Sequence, residues 1–182
     1  MLDLKKCGNG SAAYCNGKPS WRATWHASER RKRRAPQDFQ RLKGRSSVAA
    51  AAYRSTSCLT DHRIGATFDY TRKHKIAAFI LTPENAPDWT CDREALWNAC
   101  EFVERANGVV GREVEISIPR DIPESDWQAF AEEICARYVE AGAVVDVAIH
   151  APTAADKNKN PHIHGMLTTR AGCGRAAWIR IH

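Results

Sequence analysis

Apolar and polar side chains alternate through residues 112 to 118. Glu113, Glu115 and Ser117 fall on one face and Val114, Ile116 and Ile118 on the other, the period of a half-buried strand that Pro119 closes. Val144 to His150 repeats the pattern with Val145, Val147 and Ile149 inward, and His162 to Thr168 repeats it with Ile163 and Leu167 on the apolar face. Two more strands are predicted over Thr67 to Thr71 and Lys75 to Leu81, with Pro83 and Pro87 ending the extended region. Helical spacing appears elsewhere. Ser46 or Ser47 caps the run Val48-Ala49-Ala50-Ala51-Ala52, which leads into Tyr53. Asp92 caps a helix carrying Leu96, Cys100 and Val103 on one side, stopped at Asn107-Gly108. A third helix is predicted from Ser125 to Ala141, with Trp127, Phe130, Ala131, Ile134, Tyr138 and Val139 on its stripe and Gly142 at its end. The first 40 residues hold no sustained period; Trp21 and Trp25 suggest only a short helix over about residues 20–33. The elements predict an α+β fold, an antiparallel sheet with helices packed on one of its faces.

A length of 182 residues suits one domain, or one domain with a tail. The expected division is a basic, poorly ordered segment over 1–42, a domain over 43–170 and a short tail over 171–182. Hydrophobic residues at 43% and charged residues at 26% exclude wholesale disorder. No apolar run approaches the length of a membrane span and residues 1–20 lack a signal-peptide core, so a cytoplasmic location is expected. Seven cysteines without a CxxC pair read as reduced thiols. The net charge of +6 is concentrated in the first 45 residues, where twelve Lys/Arg face three Asp/Glu; the remainder is mildly acidic. Arg30-Arg31-Lys32-Arg33-Arg34 would neutralise phosphates without reading sequence, and a solvated basic tail is the bland alternative.

Candidate chemistry gathers at Asn160-Pro161-His162-Ile163-His164. Residues two apart on a strand share a face, so His162 and His164 project side by side. The preceding strand ends at His150, and antiparallel pairing would bring all three imidazoles within reach of one divalent cation. Three protein ligands leave positions open for substrate. Glu113 or Glu115, on a neighbouring strand, would orient a metal-bound histidine through its second ring nitrogen, and Asp146 shares a face with His150. A solvated sheet surface is the alternative for these carboxylates.

These residues belong to a longer series of blocks. Gly44-Arg45-Ser46-Ser47-Val48-Ala49-Ala50-Ala51-Ala52-Tyr53-Arg54-Ser55 is followed by Phe68-Asp69-Tyr70-Thr71, then by Leu96-Trp97-Asn98 with Glu101 and Glu104-Arg105-Ala106-Asn107. Arg112-Glu113-Val114-Glu115-Ile116 to Ile118-Pro119, Ala148-Ile149-His150 and Asn160 to His164, running on to Thr169-Arg170, complete it. Over about residues 43–170 the chain resembles the MobA/MobL family of plasmid mobilisation relaxases, of the HUH group of single-strand endonucleases.

The resemblance implies nicking and rejoining of one DNA strand at a transfer origin. Tyr53 would be the nucleophile, forming a 5′-phosphotyrosyl link, and His150, His162 and His164 would hold the metal, with Mg²⁺ or Mn²⁺ expected and Zn²⁺ the alternative. Glu115 or Glu113 would support the histidines. Apart from the resemblance, Arg45 and Arg54, by their position beside Tyr53 and its helix, are candidates for contacts to flanking phosphates, with a solvated helix-end arginine the alternative for Arg54. Single-stranded DNA is the expected partner, with accessory mobilisation proteins and a coupling protein as further candidates.

The departures lie at the ends. Family members open with an apolar strand just before the Gly-Arg-Ser segment, and here Phe39-Gln40-Arg41-Leu42 alone would serve. Two other functions fit the same residues: a non-catalytic relaxase remnant that only binds DNA, and a three-histidine metal-dependent phosphoester hydrolase with no use for Tyr53.

Overall fold

The computed structural model describes residues 4–7, 37–40, 44–173 and 177–180. Its centre is a six-stranded antiparallel sheet in the order β1-β5-β7-β8-β6-β2. The strands are β1 (Leu4–Cys7), β2 (Gln37–Gln40), β5 (Ala77–Pro83), β6 (Val109–Ser117), β7 (Val145–His150) and β8 (His162–Thr168). β3 (Cys58–Asp61) and β4 (Ala66–Asp69) form a separate hairpin, as do β9 (Arg170–Cys173) and β10 (Ala177–Arg180). The helices are α1 (Ser47–Ser55), α2 (Arg93–Val103) and α3 (Trp127–Glu140).

The helices cover both faces of the sheet, which corrects the expected one-sided arrangement. On one face Trp127, Phe130, Ile134 and Val139 of α3 pack on Phe79, Leu81, Val114, Ile116, Val145, Val147, Ile149 and Ile163. On the other, Val48, Ala51 and Ala52 of α1 and Leu96, Trp97 and Cys100 of α2 meet Ile80, Val110 and Met166. The central strands are therefore buried on both sides. Asp146 and Ala148, the alternate positions of β7, are as sheltered as the valines between them. A period of two marks a strand but does not say how wet its second face is.

Both edge strands come from the first 42 residues. β2 pairs with β6, Phe39 opposite Gly111, and buries Phe39; it supplies the opening strand sought at Phe39-Gln40. β1 pairs with β5 and carries Cys7 level with Ile80. The turn Asp88–Cys91 folds back beside that strand, and Cys7 and Cys91 are joined in a disulfide. This corrects the expectation of reduced thiols throughout; Cys58, Cys100 and Cys135 are free. Burial pushes the Cys135 thiol up to about 12, as suits an inert core group. The helix suggested over about residues 20–33 lies outside the described residues.

Local chemistry sets α1. Ser46 is extended (φ −99°, ψ 127°) and its hydroxyl accepts from the Ala49 N–H, a side-chain N-cap. Thr56 ends the helix in the left-handed region (φ 51°), returning its N–H to the Ala52 carbonyl. The Glu101 carboxylate, fully buried, accepts from both the N–H and the hydroxyl of Ser47, and a negative charge there favours the helix N-terminus. Small alanines let α1 lie close to the sheet, with Tyr53 on its outer side.

Candidate metal centre and nucleophile

His150 ends β7 and His162 begins β8, and the two face each other directly in register. His164, two residues on, falls on the same side, the face covered by α1 and α2. The three rings meet at centroid separations of 5.8, 5.1 and 4.9 Å. One ring nitrogen from each lies within 4.8 Å of the others. Spacing placed these residues together, and the structure brings them together. The connecting loop is ordered by its own bonds: Thr153 bridges Lys159, and the Asn160 N–H donates to Pro152. The Pro161 carbonyl then accepts from Ile118 as the chain joins the sheet.

Each imidazole has one nitrogen committed to an acceptor. His150 Nε2 meets the Arg54 carbonyl at 2.7 Å, His162 Nδ1 the Asn160 carbonyl at 2.9 Å, and His164 Nδ1 the Glu113 carboxylate at 2.8 Å. A carbonyl or carboxylate oxygen can only accept here, so the named nitrogen carries a proton and the second nitrogen of each ring is the one that would meet a metal. Burial first, with His164, His162 and Arg54 nearby, holds His150 below the ordinary histidine pKa and so neutral. Three imidazoles, each with one ring nitrogen held by a protein acceptor, are the donor set a divalent transition metal takes, and the residues present fit such an ion.

Glu113 touches the cluster through His164. It faces Met166 in register and reaches His164 diagonally. Burial raises its pKa, but the hydrogen bonds from His164 and Arg54 outweigh that and hold it below the usual carboxylate range. Glu115 lies opposite His164 and is half-buried. Asp146 serves elsewhere, correcting its candidacy beside His150. It is buried beneath the Arg93 guanidinium and accepts from Trp97 Nε1 at 2.9 Å, pinning α2 to the sheet.

Tyr53 is 46% exposed near the end of α1. Tyr70 stands edge-on to its ring, centroids 5.2 Å apart at 79°, and the Lys73 ammonium lies 3.6 Å from the ring centroid. Arg54, the next residue and an expected phosphate contact, forks its guanidinium onto both Glu113 oxygens and donates to the Ala50 carbonyl. Arg45 is exposed just ahead of the helix cap. Sequence reasoning missed Lys73 and gave Tyr70 no role, although Tyr70 sat within a recognised block. Both lie after the β3–β4 hairpin, where no periodic signal says which strand-end residues approach α1.

The description of the MobA/MobL family matches residues 45–180. The chain is 36% identical over 144 residues to the mobilization protein MobL of Acidithiobacillus ferridurans, covering 75% of this chain and 36% of that one. It is 33% identical over 141 residues to the conjugal transfer protein TraA of Agrobacterium fabrum, covering 70% of this chain and 12% of that one. The chain thus spans between about an eighth and a little over a third of these relatives. A solved structure described as the molecular basis of vancomycin resistance transfer in Staphylococcus aureus superposes with a TM-score of 0.71 at 29% identity, over 82% of this chain and 79% of that one.

Proposed function

This chain belongs to the MobA/MobL family of mobilisation relaxases, and on that premise we propose that it nicks and reseals one strand of DNA at a transfer origin through Tyr53. The observation that carries the proposal is the junction of α1 with the histidine cluster: the residue after Tyr53 is bonded to His150 through its carbonyl and to Glu113, which holds His164.

His150, His162 and His164 would hold a divalent cation, which when bound neutralises charge on the non-bridging oxygens of the scissile phosphate. The Tyr53 oxygen attacks phosphorus. A tyrosyl O–P bond forms as the bond to the 3′ oxygen breaks, the phenolic proton passes to solvent, and the departing 3′ oxygen takes up a proton. One ester replaces another, so attack by a 3′-hydroxyl on the phosphotyrosine reverses the step without further energy input. Glu113 keeps the Nδ1 proton of His164 in place throughout, so that ring presents Nε2 inward. Tyr70 and Lys73 border the nucleophile's ring. Single-stranded DNA is the proposed partner, with accessory mobilisation proteins and a coupling protein as further ones; no described helix is long and apolar enough to cross a membrane.

The test is a denaturing gel for a protein–DNA adduct, formed with Mg²⁺ or Mn²⁺ and single-stranded fragments tiling the neighbouring DNA. An adduct from the parent protein, absent in Tyr53→Phe and His162→Ala, is the expected result. A folded parent that retains DNA without any adduct would replace this reading with a binding-only role, and activity surviving Tyr53→Phe would point to hydrolysis by metal-activated water.

A further inference from the structure

We infer that Arg54 is a positioning residue that locks the nucleophile's helix to the histidine cluster, rather than a contact to DNA. The inference rests on the roles proposed above for Tyr53 and the three histidines.

Two separate attachments meet in this residue. Its carbonyl accepts from His150 Nε2 at 2.7 Å, which fixes one imidazole directly to the end of α1. Its guanidinium forks onto Oε1 and Oε2 of Glu113, and Glu113 Oε1 also accepts from His164 Nδ1 at 2.8 Å. The residue beside Tyr53 is thus tied to β7 through its main chain and to β8 through a carboxylate on β6. Any rotation or slide of α1 that moved Tyr53 would break one of these ties.

The side chain is committed elsewhere as well. Its remaining terminal nitrogen donates to the Ala50 carbonyl at 3.2 Å, and its guanidinium carbon lies 5.7 Å from the centroid of Phe39, the buried residue of the edge strand β2. Each guanidinium nitrogen has a protein acceptor, and the side chain is only 20% exposed. Gripping a phosphate would require releasing Glu113, leaving a buried carboxylate without its guanidinium partner. A planar fork makes the two-point grip on Glu113, and a lysine ammonium does not reproduce it.

The probe is Co²⁺ bound to the full chain, whose visible absorption reports ligand arrangement independently of catalysis. Arg54→Met and Arg54→Lys are each expected to shift that spectrum and weaken Co²⁺ binding by about ten- to a hundredfold, the range seen when a ligand's supporting partner is lost. In nicking assays kcat falls while KM and the salt dependence of single-stranded DNA binding stay unchanged. Glu113→Gln gives the same losses, and adding it to Arg54→Lys costs little more because both cut one link. If Arg54→Met does not fold, the lysine and glutamine variants carry the comparison. Intact Co²⁺ binding with weaker DNA affinity and a shallower salt slope would overturn the inference and make Arg54 a phosphate contact. A parent chain that takes up no Co²⁺ would overturn the metal centre itself, and the positioning role with it; that failure shows in the unmutated protein.

Discussion

The Lys73 ammonium sits 3.6 Å from the centroid of the Tyr53 ring and 5.4 Å from that of Tyr70, so one cation serves two aromatic faces. Its loop, Arg72-Lys73-His74-Lys75, gathers positive charge in a part of the chain that is otherwise mildly acidic. Lys75 is already engaged, donating to the Ser55 carbonyl at 2.6 Å at the end of α1, where a cation complements the helix dipole. Lys73 is the member that lies against the Tyr53 ring.

Removing that cation should slow adduct formation without abolishing it. An exposed cation–π contact contributes about 0.5–1 kcal/mol, so Lys73→Met is expected to lower the single-turnover rate about two- to fivefold. Lys73→Arg should restore most of the loss, because the guanidinium also stacks on an aromatic face. A rate equal to the parent's in Lys73→Met would separate Lys73 from the reaction.

Glu113 predicts a dependence of stability on acid. Its folded pKa lies below the ordinary carboxylate value, because the bonds from His164 and Arg54 outweigh the opposing effect of burial. A carboxylate depressed on folding stabilises the protein above its unfolded pKa, about 4.3, and that contribution is lost as pH falls through the folded value. Metal-free parent protein should therefore lose more stability on acidification below about pH 4.3 than Glu113→Gln does. Urea midpoints across pH 3 to 7 would check this; parallel curves for the two proteins would contradict it.

The histidine cluster was legible because it needs only two facts, the period of a strand and the antiparallel return of its neighbour. Both can be read from His150 and His162-Ile163-His164. The bond between Glu113 and His164 could not be read from the sequence, because Glu113 and Glu115 share a face and alternation does not encode a diagonal reach to His164. Asp146 misled for a related reason. A polar residue on a strand suggests a wet face, yet this strand is covered on both sides and Asp146 is satisfied by Arg93 and Trp97, which lie some fifty residues earlier in the chain. The edge strand Leu4–Cys7 escaped notice, and Gln37–Gln40 was sought only at Phe39-Gln40 through the resemblance, because four residues cannot establish a period; pairing with β5 and β6 makes them strands. β3 was missed in the same way. The order of blocks resembling the MobA/MobL family supplied what local pattern did not, including the role proposed for Tyr53.

A metal held by three histidines should also stabilise the fold, since an ion that binds only the native state shifts unfolding by mass action. At a concentration one hundred times its dissociation constant the gain is about 2.7 kcal/mol. The parent's melting temperature should rise on adding Mn²⁺ or Zn²⁺ and fall back with chelator. His162→Ala should melt at the same temperature with or without the ion. An equal metal response in that variant would place the ion elsewhere.

Asp146 offers a test of stability separated from chemistry. Its carboxylate is buried and takes three contacts from the Arg93 guanidinium and one from Trp97 Nε1. Trp97 in turn packs tightly on β6, where a side chain at Gly111 would come within 2.9 Å of its ring. Asp146→Ala would leave the largely buried Arg93 charge and the indole N–H without their partner, and breaking one side of such a pair costs about 3–5 kcal/mol. A large fall in the urea midpoint is expected with the denaturant slope unchanged. Arg93→Met with Asp146→Leu together should recover part of the loss, because an apolar pair of similar volume avoids the desolvation of both charges. Residual adduct formation at low temperature, measured per folded molecule, should match the parent's, since the ion pair acts on α2 and the sheet rather than on the histidines. A per-molecule rate that fell as far as it does in His162→Ala would instead return Asp146 to the metal centre.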